Sequence, residues 1–282
     1  MSLAAAERVK GQLTMQLTSL RNISIATVVT LVAGFALVFF YAPLDADQGF
    51  IQKIFYVHVP LAVVALAGFV IAAVFSVRHL RTGDPKWDAR SYVSIHLSIV
   101  FAAVVLITGS IWAQASWGRW WVWEEPTLVS FLIVFLLYAT YYPLRYAVED
   151  RERQARYASV FAIIAGAFVP LNFLAVRLAD SLLHPRVFAT AEGGMDPSMW
   201  LTLAVTFVGI ALLWVTLVRF EIAAKSAAAQ LARLRQLLDP AQTEYPRSKS
   251  SIPVTLTAAQ APDADGAPPS QGAGASPTDH GR

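Results

Sequence analysis

Residues Ile23–Ala42 read ISIATVVTLVAGFALVFFYA, and this stretch decides the fold class. It contains no Asp, Glu, Lys or Arg. A helix needs about 20 mostly apolar residues to cross the hydrocarbon core of a bilayer. No water is available there to satisfy backbone N–H and C=O groups, so an open spanning segment has to be helical. The same rule, carried along the chain, predicts further spans near Pro60–Val77, Tyr92–Trp112, Thr127–Tyr146, Tyr157–Leu178 and Met199–Phe220. The expected fold is all-α: a polytopic membrane protein with six transmembrane helices.

Composition points the same way. The 282 residues are 56% hydrophobic and 15% charged, with mean hydropathy +0.51. A soluble domain is usually about 45–50% apolar and about 25% charged. There are no cysteines, which excludes disulfides, thiolate metal sites and a C-x-x-C-H haem-attachment motif. The net charge is +3, and the basic residues follow topology rather than forming a nucleic-acid patch. No G-x-x-x-x-G-K-[ST] segment is present, so the chain carries no P-loop to energise transport.

Lys and Arg collect in cytoplasmic loops. Fifteen of them lie before span one, between spans two and three, between spans four and five, and just after span six. The alternate loops hold only Lys53, Arg119, Arg177 and Arg186. Both termini are therefore expected in the cytoplasm. The first apolar run exceeds the roughly 7–15 residues of a signal-peptide core, and no A-x-A site follows, so it reads as an uncleaved anchor. The expected organisation is a cytoplasmic segment over 1–22, the six-helix domain over 23–220, a cytoplasmic helical extension over 221–245 and a disordered tail over 246–282. The extension contains AAKSAAAQLARLRQLL (Ala223–Leu238), and the tail is rich in Ser, Pro, Ala and Gly.

This topology gathers three loops on the outer face. Pro43–Val59 carries His58, and Ala179–Ser198 carries His184. Between them, Ala113–Pro126 contains SWGRWWVWEEP (Ser116–Pro126), which holds four of the chain's 8 tryptophans. Tryptophan gathers at membrane interfaces in any case, but Trp117, Trp120, Trp121 and Trp123 fall within seven positions. That density suggests a platform for a flat apolar ligand. Haem fits the set: an apolar macrocycle with two carboxylates and an iron that accepts axial histidines. Arg119, Arg177 and Arg186 could pair with the propionates, or could snorkel at the lipid boundary. Each ligand histidine would need an acceptor for its other ring nitrogen, which the sequence does not reveal. By themselves Glu124 and Glu125 read as solvated. Gln114, Asn172 and Arg177 are secondary candidates for the outer cavity. His79 reads as solvated, His280 lies in the tail, and His96 lies toward the inner end of span three, on the wrong side for this site.

With these residues in hand, WGRWWVWEE (Trp117–Glu125) resembles the tryptophan-rich WWD motif of haem-handling proteins, W-G-x-x-W-x-W-D. QKIFYVHVP (Gln52–Pro60) and LLHPR (Leu182–Arg186) resemble the two histidine segments of the CcmC family, the haem exporter proteins C of cytochrome c maturation. The resemblance covers roughly residues 20–220. It implies six spans with cytoplasmic termini in the bacterial inner membrane. It also implies b-type, non-covalently held haem at the outer face, handed to a CcmE-like chaperone with a CcmD-like small subunit and a CcmAB-like ABC transporter. By motif, His58 and His184 would be the axial ligands. Trp117, Trp120, Trp121 and Trp123 would form the platform, with Gly118, Arg119, Glu124 and Arg186 as further cofactor-binding candidates. Such a protein is an assembly factor, at most promoting haem attachment to its partner, and not an enzyme. Two departures stand out. The motif's Asp is Glu124, and the family's usual Asp-Ala-Arg-Leu-Thr is Glu124-Glu125-Pro126-Thr127-Leu128, without its Arg.

Three other classes compete with this reading. A b-type cytochrome subunit would hold haem between histidines well within the spans, where only His96 lies. A secondary transporter of an amphipathic substrate would show broken helices and midplane charges, for which Gly109, Pro170 and Asn172 are weak hints. A haem-free structural subunit of a membrane complex would need none of these features.

Overall fold

The structure, a computed structural model, describes residues 3–178, 183–184 and 195–238. These form seven α-helices and, among the described residues, no strand: α1 (Leu3–Phe40), α2 (Phe55–Thr82), α3 (Pro85–Trp117), α4 (Pro126–Ala139), α5 (Tyr141–Tyr146), α6 (Arg151–Leu178) and α7 (Pro197–Leu238). A 3-10 turn, Phe50–Ile54, leads into α2. Six segments are long and apolar enough to cross a membrane: Leu17–Phe40, Phe50–Thr82, Pro85–Trp117, Pro126–Tyr146, Arg151–Leu174 and Pro197–Leu237. The protein is thus an all-α polytopic membrane protein. The chain divides into two units, Met1–Arg233 and Leu234–Arg282. The described part of the second is the end of α7. Residues 239–282, including the expected tail, lie outside the described residues.

Four boundaries differ from the sequence expectation, each for a local reason. First, α2 begins at Phe55, so His58 is in a helix and not in a loop. Phe55 and Tyr56 are buried against Val38, Ala42 and Leu203, which extends the helix upstream of Pro60. Proline there removes only the N–H that would have met the Tyr56 carbonyl. Second, the basic link between α2 and α3 shrinks to Gly83 and Asp84. Gly83 is left-handed at φ 67°, and Asp84 caps α3 by accepting from Lys86 N at 2.9 Å, with Pro85 in the first turn. Third, the fourth span splits at Thr140. Pro143 cannot donate to the Ala139 carbonyl, and the Thr140 hydroxyl donates to Leu137 O at 2.7 Å. Fourth, the expected extension is the same helix as span six, continuous to Leu238.

α2, α3 and α6 pack through small residues. Buried Ala65, Ala72, Ala102, Ala158, Ala162 and Ala165 let the backbones approach, as membrane helices require when no hydrophobic effect draws them together. At Gly68 a Cβ would lie 2.1 Å from Ser98 Oγ and 2.8 Å from the Trp214 ring, so α7 closes onto α2 and α3 only over glycine. Trp214 Nε1 donates to Ser98 Oγ at 3.3 Å. Thr27 spends its hydroxyl proton on Ile23 O, so Thr216 of α7 donates to Thr27 Oγ1 at 2.8 Å.

The alternation of helices sets which links share an end. The α1–α2 and α3–α4 links lie at one end of the bundle, with the tryptophan segment and the described Leu183 and His184. The α2–α3 and α5–α6 links lie at the other, with most of the basic residues. At that far end Arg145 reaches Asp88 through two bonds of 2.8 and 2.6 Å, both side chains largely buried. His96 Nδ1 meets Tyr142 Oη at 2.7 Å.

Candidate functional site

A cavity of about 510 Å³ opens at the tryptophan end, within the range of about 300–1,000 Å³ typical of small-molecule and cofactor sites. Its walls come from regular faces of helices. α2 contributes Phe55, His58, Val59, Ala62, Val63 and Leu66. α3 contributes Val105, Leu106, Gly109, Trp112, Ala113, Ser116 and Trp117. Both sets recur at helical spacing, so each helix presents one stripe to the cavity. α4 adds Thr127, Leu128 and Phe131, and α6 adds Asn172, Phe173 and Arg177. Trp121, Leu183, His184 and Gln48 complete the lining.

His58 and His184, about 126 positions apart by their residue numbers, therefore line one cavity. The His58 ring lies against α3. Its Nδ1 is 3.0 Å from Thr108 Oγ1, and the Trp112 ring meets it edge-on with centroids 5.8 Å apart. Trp112 is held in turn by Gln48, whose Oε1 accepts from Trp112 Nε1 at 2.6 Å and from Ser116 Oγ at 3.2 Å. The α1–α2 link is thereby fastened to the cavity wall. His184 stands beside Trp117, ring centroids 6.4 Å apart and nearly edge-on.

The tryptophan segment divides. Gly118 ends α3 in the left-handed conformation, φ 69°, its N–H bonded to Gln114 O at 3.1 Å; a side chain there would be strained. Trp117 and Trp121 line the cavity. Trp120 and Trp123 are 61% and 69% exposed and, like Arg119, Gly118, Gln114 and Glu124, are not among the lining residues. Arg186 lies outside the described residues.

The solvated reading of both acids holds for Glu124, which is exposed, and fails for Glu125, which is fully buried. Glu125 sits at the N-cap position of α4, just before Pro126, but its carboxylate does not cap that helix. Oε2 instead accepts from the backbone N–H groups of Leu183 and His184 at 2.9 and 3.2 Å. The proline-led helix start turns this acid inward and ties the tryptophan segment to the second histidine segment. Glu125, Thr108, Gln48 and Trp112 are the site residues that sequence reasoning missed. Only Glu125 left a signal, an acid at a proline-led N-terminus within an aromatic run.

Two polar groups on the cavity wall lack partners among the described residues. Trp121 Nε1 and Asn172 Oδ1 are buried without a hydrogen bond. Buried polar groups are normally paired, so these are positions where a ligand's polar groups would be received. Arg177 lines the same cavity.

Comparison with known proteins places the chain. The family profile for heme exporter protein C matches residues 2–236. The chain is 31% identical over 213 residues to the heme exporter protein C of Rhodobacter capsulatus, covering 75% of this chain and 88% of that one. It is 33% identical over 200 residues to that of Paracoccus denitrificans, covering 69% and 83%. It is 30% identical over 195 residues to that of Escherichia coli K12, covering 69% and 78%. With the profile spanning nearly its whole described length, the chain belongs to the heme exporter protein C family, CcmC.

Proposed function

We propose that the protein holds haem in this cavity, with His58 and His184 as axial ligands, and presents it for delivery during c-type cytochrome assembly. The observation that carries the reading is that two imidazoles from distant parts of the chain line one largely apolar cavity with Trp117 and Trp121. The donor set suits the ligand. Imidazole is a common iron ligand, and apolar walls suit a macrocycle. Arg177 and the unpartnered Trp121 Nε1–H supply donors for carboxylates. No cysteine is available for attachment, so the haem would be b-type and non-covalent.

A bound haem would supply the iron porphyrin that is handed to a partner. The chain's own residues bind, orient and shield. Glu125 fixes the His184 backbone, Thr108 and Trp112 hold the His58 ring, and the stripes of α2 and α3 exclude water. The protein's contribution is then positioning rather than bond chemistry. The site faces away from the cytoplasm, since the basic residues gather at the opposite end. The exposed Trp120 and Trp123, with Arg119 and Glu124, form the surface a CcmE-like chaperone would meet. A CcmD-like subunit and a CcmAB-like transporter complete the assembly, in the bacterial cytoplasmic membrane.

The test is an optical titration of the detergent-purified protein with haem, wild type beside the His58→Ala, His184→Ala double variant. A low-spin, bis-histidine spectrum in the wild type, lost in the double variant, is expected. Failure of the wild type to take up haem, or an identical spectrum from the variant, would sink the reading.

A further inference from the structure

His58 has two ring nitrogens, and the structure decides which one carries the proton in the neutral ring. Nδ1 lies 3.0 Å from Thr108 Oγ1. The Thr108 hydroxyl has a single proton, and that proton is committed to its own helix: Oγ1 lies 2.8 Å from Val104 O and 3.2 Å from Val105 O. A carbonyl oxygen only accepts, so toward His58 the hydroxyl offers lone pairs. A hydrogen bond to it requires the proton on Nδ1, which leaves the lone pair on Nε2. The neighbouring residue supplies the room. A Cβ at Gly109 would sit 2.8 Å from His58 Cε1, so the ring can lie against α3 only over glycine. Trp112, one turn on, closes the ring's edge.

We infer that Thr108 is a positioning residue that locks His58 in the Nδ1–H tautomer and reserves Nε2 as the electron-pair donor in the cavity. The device is built into the protein before any ligand arrives. It rests on the haem reading only for the identity of the acceptor. A ligand histidine whose other nitrogen is hydrogen-bonded is fixed in orientation and made more basic, and losing such a partner typically costs about 10–100-fold in metal affinity.

Two measurements on the full-length protein in lipid bilayers test it. The first is the ¹⁵N NMR spectrum of the His58 ring without haem, assigned by its loss in His58→Gln. The expected wild-type pattern is a protonated Nδ1 and a bare Nε2, retained in Thr108→Ser and scrambled in the isosteric Thr108→Val. The second is haem titration with redox potentiometry. Thr108→Ser stays within about twofold of wild type, while Thr108→Val binds about 10–100-fold more weakly with a shifted midpoint potential. A wild-type Nε2–H tautomer overturns the inference, as does a Thr108→Val protein matching wild type in both measurements. If the tautomer is as expected and no haem binds, the positioning role stands and the haem reading falls.

Discussion

Glu125 joins two segments that are far apart in sequence. Its carboxylate is fully buried and receives the backbone N–H groups of Leu183 and His184, so the tryptophan segment is tied to the second histidine segment. Hydrogen bonds to a charged group are worth roughly 1.5–3 kcal/mol each. Glu125→Gln is therefore expected to weaken haem binding by about tenfold or more. Glu124→Gln, at an exposed position, is expected to stay within about twofold in the same titration, since surface substitutions usually change little. Equal losses in the two variants would remove the anchoring role. The side chains at this scale were only partly legible. Histidine and tryptophan advertise themselves by type, so His58, His184, Trp117 and Trp121 could be singled out from the sequence. Thr108 and Gln48 could not, because a threonine within a span or a glutamine in a loop gains meaning only once the packed helix face is known, and the signal at Glu125, an acid beside a proline, did not say which way the side chain turns.

At the scale of elements, spans were readable because a run of about 20 apolar residues has few other uses. Their ends were not, because packing sets them. Phe55 and Tyr56 extend α2 past Pro60, and Pro143 breaks the fourth span at Thr140. The Arg145–Asp88 bridge ties α3 to α5, beside the His96–Tyr142 hydrogen bond. Removing one partner of a buried pair leaves an uncompensated charge at a cost of about 3–5 kcal/mol. Asp88→Ala should therefore lower thermal stability in detergent sharply, and Asp88→Leu with Arg145→Leu should recover much of it; no difference between single and double variants would count against the pairing. The start of α3 carries a pH signature. The hydrogen bond from the Lys86 ammonium, followed by the Lys86 backbone N–H, holds the Asp84 carboxyl below its ordinary value. A depressed folded pKa contributes stability above the unfolded value and loses it as pH falls through the folded one. The stability gap between wild type and Asp84→Ala should thus be full at neutral pH and close in acid. A gap that widens in acid would contradict the cap.

At the scale of the whole molecule, the even number of spans and the distribution of basic residues predict that the segments before the first span and just after the sixth face the cytoplasm. The chain has no cysteine, so single substitutions report without background. Arg119→Cys should react with a membrane-impermeant maleimide added to spheroplasts, and Arg81→Cys should react only after permeabilisation. The reverse pattern would invert the topology and move the cavity to the cytoplasm. The cavity's described lining runs from Gln48 to His184, and neither α1 nor α7 contributes to it. This has a consequence for biosynthesis. As the chain leaves the ribosome, the first imidazole and both walls from α2 and α3 are delivered early, whereas the second imidazole emerges only after α6. On the proposed ligation a nascent chain would until then hold only one of the two imidazoles, so a two-histidine site cannot be complete before α6 has emerged.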